Sequence, residues 1–198
     1  MKPDGLIMLG VILVVGLPSL TEATLVQWSV EEGGNGHFYE AFSVPEGITW
    51  TEANIAAVSK GGYLATITSQ AENDFVFNLV DNEIFWFEWV SLHGPWLGGY
   101  QPEDSSEPDG DWRWVTEEPF EYTNWVEGQP DNWTWNDCTE QDHLHFFSRS
   151  SRQPAWNDNW DNCPTKLPLG YVVEIIPEPA TILLLGLGGL ALLRKHRA

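Results

Sequence analysis

Two stretches of the chain place apolar residues at helical spacing and open with the same signal. Thr49-Trp50-Thr51-Glu52 and Ser69-Gln70-Ala71-Glu72 both read Ser/Thr-x-x-Glu. In that pattern the hydroxyl caps an orphan backbone N–H and the carboxylate reaches back to the cap. After the first signal, Trp50, Ala53 and Ala57 recur on one helical face; after the second, Phe75, Val76, Leu79 and Val80 form a stripe that should face a core. Gly61-Gly62 stops the first helix, and Tyr63 to Thr68 alternates as a short strand does. From Trp96 the pattern becomes short aromatic strands: Trp96-Leu97-Gly98-Gly99, Trp112-Arg113-Trp114, Leu144 to Phe147 and Gly170 to Ile176. The expectation is an α+β domain. Phe85 to His93, with Trp86 and Trp89, reads as an aromatic insertion that either covers the second helix as core or exposes an apolar patch, and the sequence does not decide between them. Long polar stretches inside a compact domain usually carry function, so Asn124 to Asp142 is where a site is sought.

The two ends have a different character. Residues 1–23 begin with Lys2, continue through an apolar run from Leu6 to Leu17 and reach Thr21-Glu22-Ala23, a small-x-small cleavage pattern, which reads as a secretory signal peptide. At the other end, Pro177-Glu178-Pro179 precedes a largely apolar run from Ala180 to Leu193 and then Arg194, Lys195, His196 and Arg197. Such a run spans about 21 Å as a helix, short of the roughly 30 Å hydrocarbon core, so a permanent span is marginal. This order resembles the PEP-CTERM sorting signal of Gram-negative bacteria. The resemblance implies processing by an exosortase in the inner membrane, transient membrane association through the tail, and delivery to the cell envelope, outer surface or extracellular matrix. What lies between is one domain, residues 24–176.

Charge narrows the partners. The chain of 198 residues carries 29 acidic and 9 basic side chains, a net charge of -20, with 42% hydrophobic residues. That hydrophobic fraction argues for a folded protein, and the acidity leaves no basic surface to neutralise phosphates, which excludes nucleic acid as the expected partner. Divalent cations suit it. The twelve Trp either fill a core or present stacking faces to a ligand, and composition does not choose between these.

From about Phe38 to Glu174 the residues resemble the C-type lectin-like domain. The first helix with Trp50, Glu52 and Ala53, the run Gly61 to Ile67, and Glu72 are similar to that fold's opening; Trp96-Leu97-Gly98-Gly99 is similar to its central Trp-Ile-Gly-Leu strand. Trp112-x-Trp114, Tyr122, Asn124-Trp125 and Gly128-Gln129-Pro130-Asp131-Asn132 resemble the run into its long loop, and Trp156-Asn157-Asp158 its second calcium-ligand motif. The resemblance implies two helices flanking short antiparallel sheets with a long ligand-binding loop. It also implies calcium, which takes about six to eight oxygen ligands. The implied metal residues are Gln129, Asp131, Asn157 and Asp158, with Gln141 standing where the family usually has Glu and Glu140 one residue earlier as a substitute. A cis peptide at Pro130 would turn Gln129 and Asp131 to the same side. Gln129, Asp131, Asn157 and Asp158 would also bind the sugar, with Trp133 packing on its C–H face; the order Gln-Pro-Asp resembles the galactose-preferring class. Cys138 and Cys163 lie near the places of the family's shorter disulfide, and in an exported chain such a bridge persists. The longer one would join the positions of Ala57 and Val173, neither a cysteine.

Other arrangements compete. Trp135-Asn136-Asp137 repeats the Trp-Asn-Asp motif and offers Asn136 and Asp137 as alternative ligands, and His143-x-His145 at strand spacing puts two imidazoles on one face, as a zinc site needs. Glu117 with Glu118, or Asp109 with Asp111, offer carboxylate pairs for glycoside hydrolysis, but no Gly-x-Ser-x-Gly, His-Glu-x-x-His or phosphate-binding glycine loop is present. The reading is not an enzyme. It is an exported, calcium-dependent carbohydrate-binding protein for a galactose-type glycan or exopolysaccharide; the alternative is a calcium-independent module binding a protein or matrix polymer.

Overall fold

Both Ser/Thr-x-x-Glu signals open helices in the computed structural model, which describes residues 24–161, 163 and 167–177. The expected leader at 1–23 and all but Pro177 of the expected tail at 177–198 lie outside the described residues. In chain order the elements are β1 (Val26–Gln27), β2 (Phe38–Ser43), α1 (Trp50–Ser59), β3 (Tyr63–Leu64), α2 (Gln70–Val80), β4 (Phe87–Glu88), β5 (Leu92–Tyr100), β6 (Arg113–Trp114), β7 (His143–Ser148), β8 (Trp156–Asn159) and β9 (Gly170–Ile175).

Thr49 closes a full capping box on α1: its hydroxyl accepts from Glu52 N at 3.1 Å, and its own N–H donates to Glu52 Oε2 at 3.2 Å. Ser69 caps α2 by accepting from Glu72 N, but the reciprocal half is diverted. The Glu72 carboxylate is buried and accepts instead from Thr68 N at 2.7 Å and from the Tyr39 hydroxyl at 2.6 Å. The helix start is thereby traded for a tertiary tie to β2.

The sheet runs β1-β2-β9-β5-β7-β8, with β3 on β9 and both β4 and β6 on β5. Neighbours are antiparallel except β5 and β9, which run parallel where Trp96 meets Tyr171. The alternation from Tyr63 to Thr68 yields a ladder only at Tyr63–Leu64; beyond it Ala65 N donates to Val172 O and Ala65 O accepts from Gly98 N, both at 2.9 Å. Residue 98 is glycine because a Cβ there would lie 2.4 Å from Leu64 O. The predicted faces are the buried ones: Trp50, Ala53 and Ala57 of α1 pack with Trp96, Tyr171 and Val173, while Val76 and Val80 of α2 pack with Phe85 and Trp86. Ala57 and Val173 share one apolar cluster, so packing takes the place of the longer family bridge.

Strands β2 and β9 are tied to α2 through a buried carboxylate pair, Glu72 and Glu174. Tyr39 OH lies 2.6 Å from Glu72 Oε1 and 2.9 Å from Glu174 Oε1, yet it has one proton to donate. His37 Nδ1 supplies the second contact to Glu174, at 2.6 Å, and Thr66 N donates to Glu174 Oε2 at 3.0 Å. Bonding to Glu174 raises the His37 pKa above its ordinary value, and burial raises that of Glu174. Both groups hold protons more tightly folded than unfolded. For His37 the contribution to stability is therefore complete below its unfolded value near 6.5 and is lost as pH rises through the folded one; for Glu174 it is complete only below its own unfolded value near 4.5 and is lost at higher pH.

Two stability measurements follow. Denaturant titrations of the wild type and His37→Gln should show a stability gap that is widest near pH 6 and narrows steadily as pH rises above about 6.5. Gly98→Ala should cost about 1–3 kcal/mol, read as a lower denaturant midpoint at unchanged slope.

Candidate functional site

Trp156, the first residue of β8, organises everything around the long loop. It is fully buried, its indole N–H donates to Asn73 Oδ1 of α2 at 2.8 Å, and Trp114, Tyr122 and Trp125 set their rings edge-on to it at 5.8, 5.4 and 5.9 Å. Such edge-to-face pairs add to area burial. The backbone follows: Trp156 N donates to Asn124 O, and Val126 N to Trp156 O. Trp112, Trp114, Tyr122 and Trp125 are thus core that carries the loop toward β8, not ligand contacts.

That junction brings the two sequence motifs together. The Gln129–Pro130 peptide is cis. Past it, the N–H groups of Asp131 and Asn132 both donate to Asp158 Oδ2, at 3.1 and 2.7 Å. Gln129 Nε2 lies 3.3 Å from Asp131 Oδ2, and Asn157 Nδ2 donates to the Asp158 carbonyl. Both amides spend their donors within the cluster. Their oxygens, Gln129 Oε1 and Asn157 Oδ1, are buried with no hydrogen-bond partner, as is Asp158 Oδ1. Burial, partly offset by the Asn132 N–H, pushes the Asp158 carboxyl up to about 7. Gln141 is buried beside them and ties the loop: its Oε1 accepts from Trp133 N at 2.6 Å, and its N–H donates to Asn132 Oδ1 at 2.8 Å.

Glu140 is placed with other residues. Its carboxylate comes within 4.8 Å of those of Glu107 and Asp142, beside a cavity of about 350 Å³. Burial, then the charges of Glu107, Glu140 and Glu103, raise the Asp142 carboxyl to about 6. Sequence reasoning missed Glu107 and Asp142, because β6 and a long irregular stretch separate them and no periodic pattern marks their approach.

Cys138 and Cys163 form a disulfide, with Trp160 buried beside them. Asn136 and Asp137 sit exposed on the turn before Cys138. His143 and His145 do share a face of β7, but they pack among rings: His143 lies 4.4 Å from Trp50, and His145 stacks on His93 at 5.4 Å. Burial holds the His143 pKa down near 4 and depresses that of His145. The Phe85–His93 insertion divides its aromatics. Phe85 and Trp86 join the core against α2, whereas half-buried Trp89 turns to the disulfide side, 5.1 Å from Trp135 and 6.1 Å from Trp133. Trp133 itself is 47% exposed. Trp89, Trp133 and Trp160 line a cleft of about 230 Å³ together with Gln129, Asp131, Gln141 and Asn157.

Comparison with known proteins agrees with this arrangement. Residues 46–169 match the family described as "Lectin C-type domain", and residues 176–198 the "PEP-CTERM protein-sorting motif". The chain belongs to the C-type lectin family, a family of carbohydrate-recognition domains rather than enzymes, and carries an export-sorting tail. It is 32% identical over 118 residues to a perlucin-like protein of Mytilus galloprovincialis, covering 59% of this chain and 65% of that protein. It is 30% identical over 142 residues to asialoglycoprotein receptor 2 of Mus musculus, covering 71% of this chain but 39% of the receptor. Among solved structures, the C-type lectin CEL-I from Cucumaria echinata superposes with a TM-score of 0.53 at 27% identity, over 72% of this chain and 91% of that one.

The disulfide closes the loop beneath the cleft across a separation of 25 residues. Replacing both cysteines with serine should lower unfolding stability by about 2–4 kcal/mol, measured by denaturant titration under matched conditions.

Proposed function

We propose that this protein is an exported bacterial lectin that binds a terminal galactose-type sugar through one calcium ion held by Gln129, Asp131, Asn157 and Asp158. The observation that supports it most is the set of three buried oxygens, Gln129 Oε1, Asn157 Oδ1 and Asp158 Oδ1, left without hydrogen-bond partners around one loop–strand junction. Buried polar atoms are nearly always paired, so three together call for an electrophile. Amide and carboxylate oxygens with no nitrogen or sulfur donor suit a hard cation. When bound, calcium supplies open coordination positions to vicinal sugar hydroxyls.

The residues around the ion have separable roles. Asp158 Oδ2 holds the loop through the Asp131 and Asn132 N–H groups, which leaves Oδ1 for the metal. A cation there also relieves the desolvation that raises the Asp158 pKa. Gln141 brings no charge and spends its amide oxygen on Trp133 N, so it orients the loop; Glu140 stands with Glu107 and Asp142 and is left out of the ligand set. Trp133, half exposed at the cleft, offers a face to the sugar's C–H surface. The Gln-Pro-Asp order carries the galactose preference. Residues 1–23 serve as the leader, 24–176 as the lectin domain and 177–198 as the tail processed by an exosortase, with transient inner-membrane association. The destination is the Gram-negative envelope, outer surface or exopolysaccharide matrix. Single-site affinity is weak because a shallow site buries little area, and surface display restores it through avidity.

A calcium-independent module for a protein or matrix polymer has one observation in its favour: backbone N–H groups already close the loop on Asp158 and Gln141. Calorimetry on the full chain separates the two. Calcium should bind the wild type and stabilise it by about 2.7 kcal/mol at a free concentration one hundred times its dissociation constant. Methyl β-galactoside should then give heat in calcium and none in chelator, and Asp158→Ala should abolish both responses. Equal heats with and without chelator would remove calcium from the function.

A further inference from the structure

Helix α1 turns apolar side chains outward as well as inward. Trp50, Ala53 and Ala57 are buried against the sheet, yet Ile55 and Val58, neighbours at i and i+3, are 66% and 62% exposed. Glu52 is the one charged residue between Trp50 and Ser59, and its carboxylate is spent on the Thr49 cap. A helix that is apolar on both sides is ordinarily covered on both. We propose that the outer face of α1, at Ile55 and Val58, docks the apolar run 180–193 of this chain's own tail and shields it in water until a membrane takes it. The inference rests on the sorting-motif match of residues 176–198 and on nothing in the calcium site.

Three observations favour that occupant. The first is position. Just past α1, Gly62 lies against the end of β9, where a Cβ would collide with Glu174 O and come within 2.8 Å of Ile175 Cγ1. Ala56 and Ile175 pack on the same cluster as Ala57 and Val173, and Ile176, the next residue, is 52% exposed. The chain therefore leaves the domain beside the C-terminal half of α1. The second is reach. Four residue steps from Ile176 to position 180 span at most about 14 Å, and α1 is about 15 Å long, so the run begins within range of Ile55 and Val58. The third is chemistry. Among residues 180–193 only Thr181 carries a polar side chain, so the run has no polar face to offer water, and Gly186, Gly188 and Gly189 allow close approach to a helix. The face it meets is neutral in a chain of net charge -20, which suits an uncharged segment.

The test is proteinase K digestion of the full chain in detergent-free buffer, with cuts mapped by mass and those in 6–17 and 180–193 counted separately. Ile55→Asp together with Val58→Asp should speed cutting within 180–193 about tenfold, because cleavage follows the population of undocked tail. Ile55→Gln with Val58→Gln should do the same, which removes charge as the cause, whereas Ile55→Leu with Val58→Leu should keep the protection. Cuts inside 24–176 should stay as rare as in the wild type, which shows that the variants are folded. The docking is refuted if the wild type and the Asp pair are cut alike in 180–193. It is refuted too if the protection falls on tenfold dilution, which assigns the cover to tails of other copies, or if the Asp pair exposes 6–17 instead, which assigns the face to the leader. None of these results touches the calcium and sugar reading, which calorimetry tests by itself.

Discussion

One carboxylate oxygen holds the ligand face of this protein together. Asp158 Oδ2 receives the N–H groups of two consecutive loop residues, Asp131 and Asn132, and so fastens the chain after Pro130 to β8. The register of β8 against β7, with Leu144 opposite Asp158, buries that carboxylate completely. Burial alone would expel the charge, and the carboxyl's pKa is accordingly raised. The two N–H groups hold the loop but satisfy one oxygen only. The other oxygen, Oδ1, is buried without a hydrogen-bond partner.

The aromatic residues divide between two tasks that composition could not separate. Trp156, Trp114 and Trp125 form an edge-to-face cluster that makes the root of the loop rigid. Trp89, Trp133 and Trp160 line the cleft beside Gln129 and Asn157, and Trp89 and Trp160 also pack at the disulfide. The first group is positioned by the sheet and α2; the second is brought together by a hairpin, a loop and the chain after β8. Similar side chains thus act as scaffold or as walls according to which elements meet around them.

A comparable division holds for the acids. Glu72 and Glu174 are structural, because Tyr39, His37 and backbone N–H groups occupy their oxygens. Glu107, Glu140 and Asp142 crowd one another in the loop, and that crowding contributes to raising the Asp142 pKa. The strong negative charge of the chain is therefore neither uniformly solvated nor uniformly functional. Each acid's role follows from how many donors its surroundings supply.

Local pattern alone determined both helices, since caps and apolar stripes act over a few residues: Thr49 with Glu52, Ser69, and the buried faces of Trp50, Ala53, Ala57, Val76 and Val80 all stand where spacing puts them. It also marked the four aromatic strands, whereas the Gln129–Asp131 and Asn157–Asp158 motifs were legible only through the family resemblance. Strand β2 escaped notice because its partner β9 lies at the other end of the domain, and β1 and β4 because two-residue ladders are too short for alternation to show. Tertiary structure decided that the Glu72 carboxylate would leave its own cap for Tyr39, that Gln141 would brace Trp133, that Glu140 would join Glu107, and that Trp89 would enter the cleft. Each of these is a choice among competing donors or neighbours, and such a choice exists only once the chain has closed on itself.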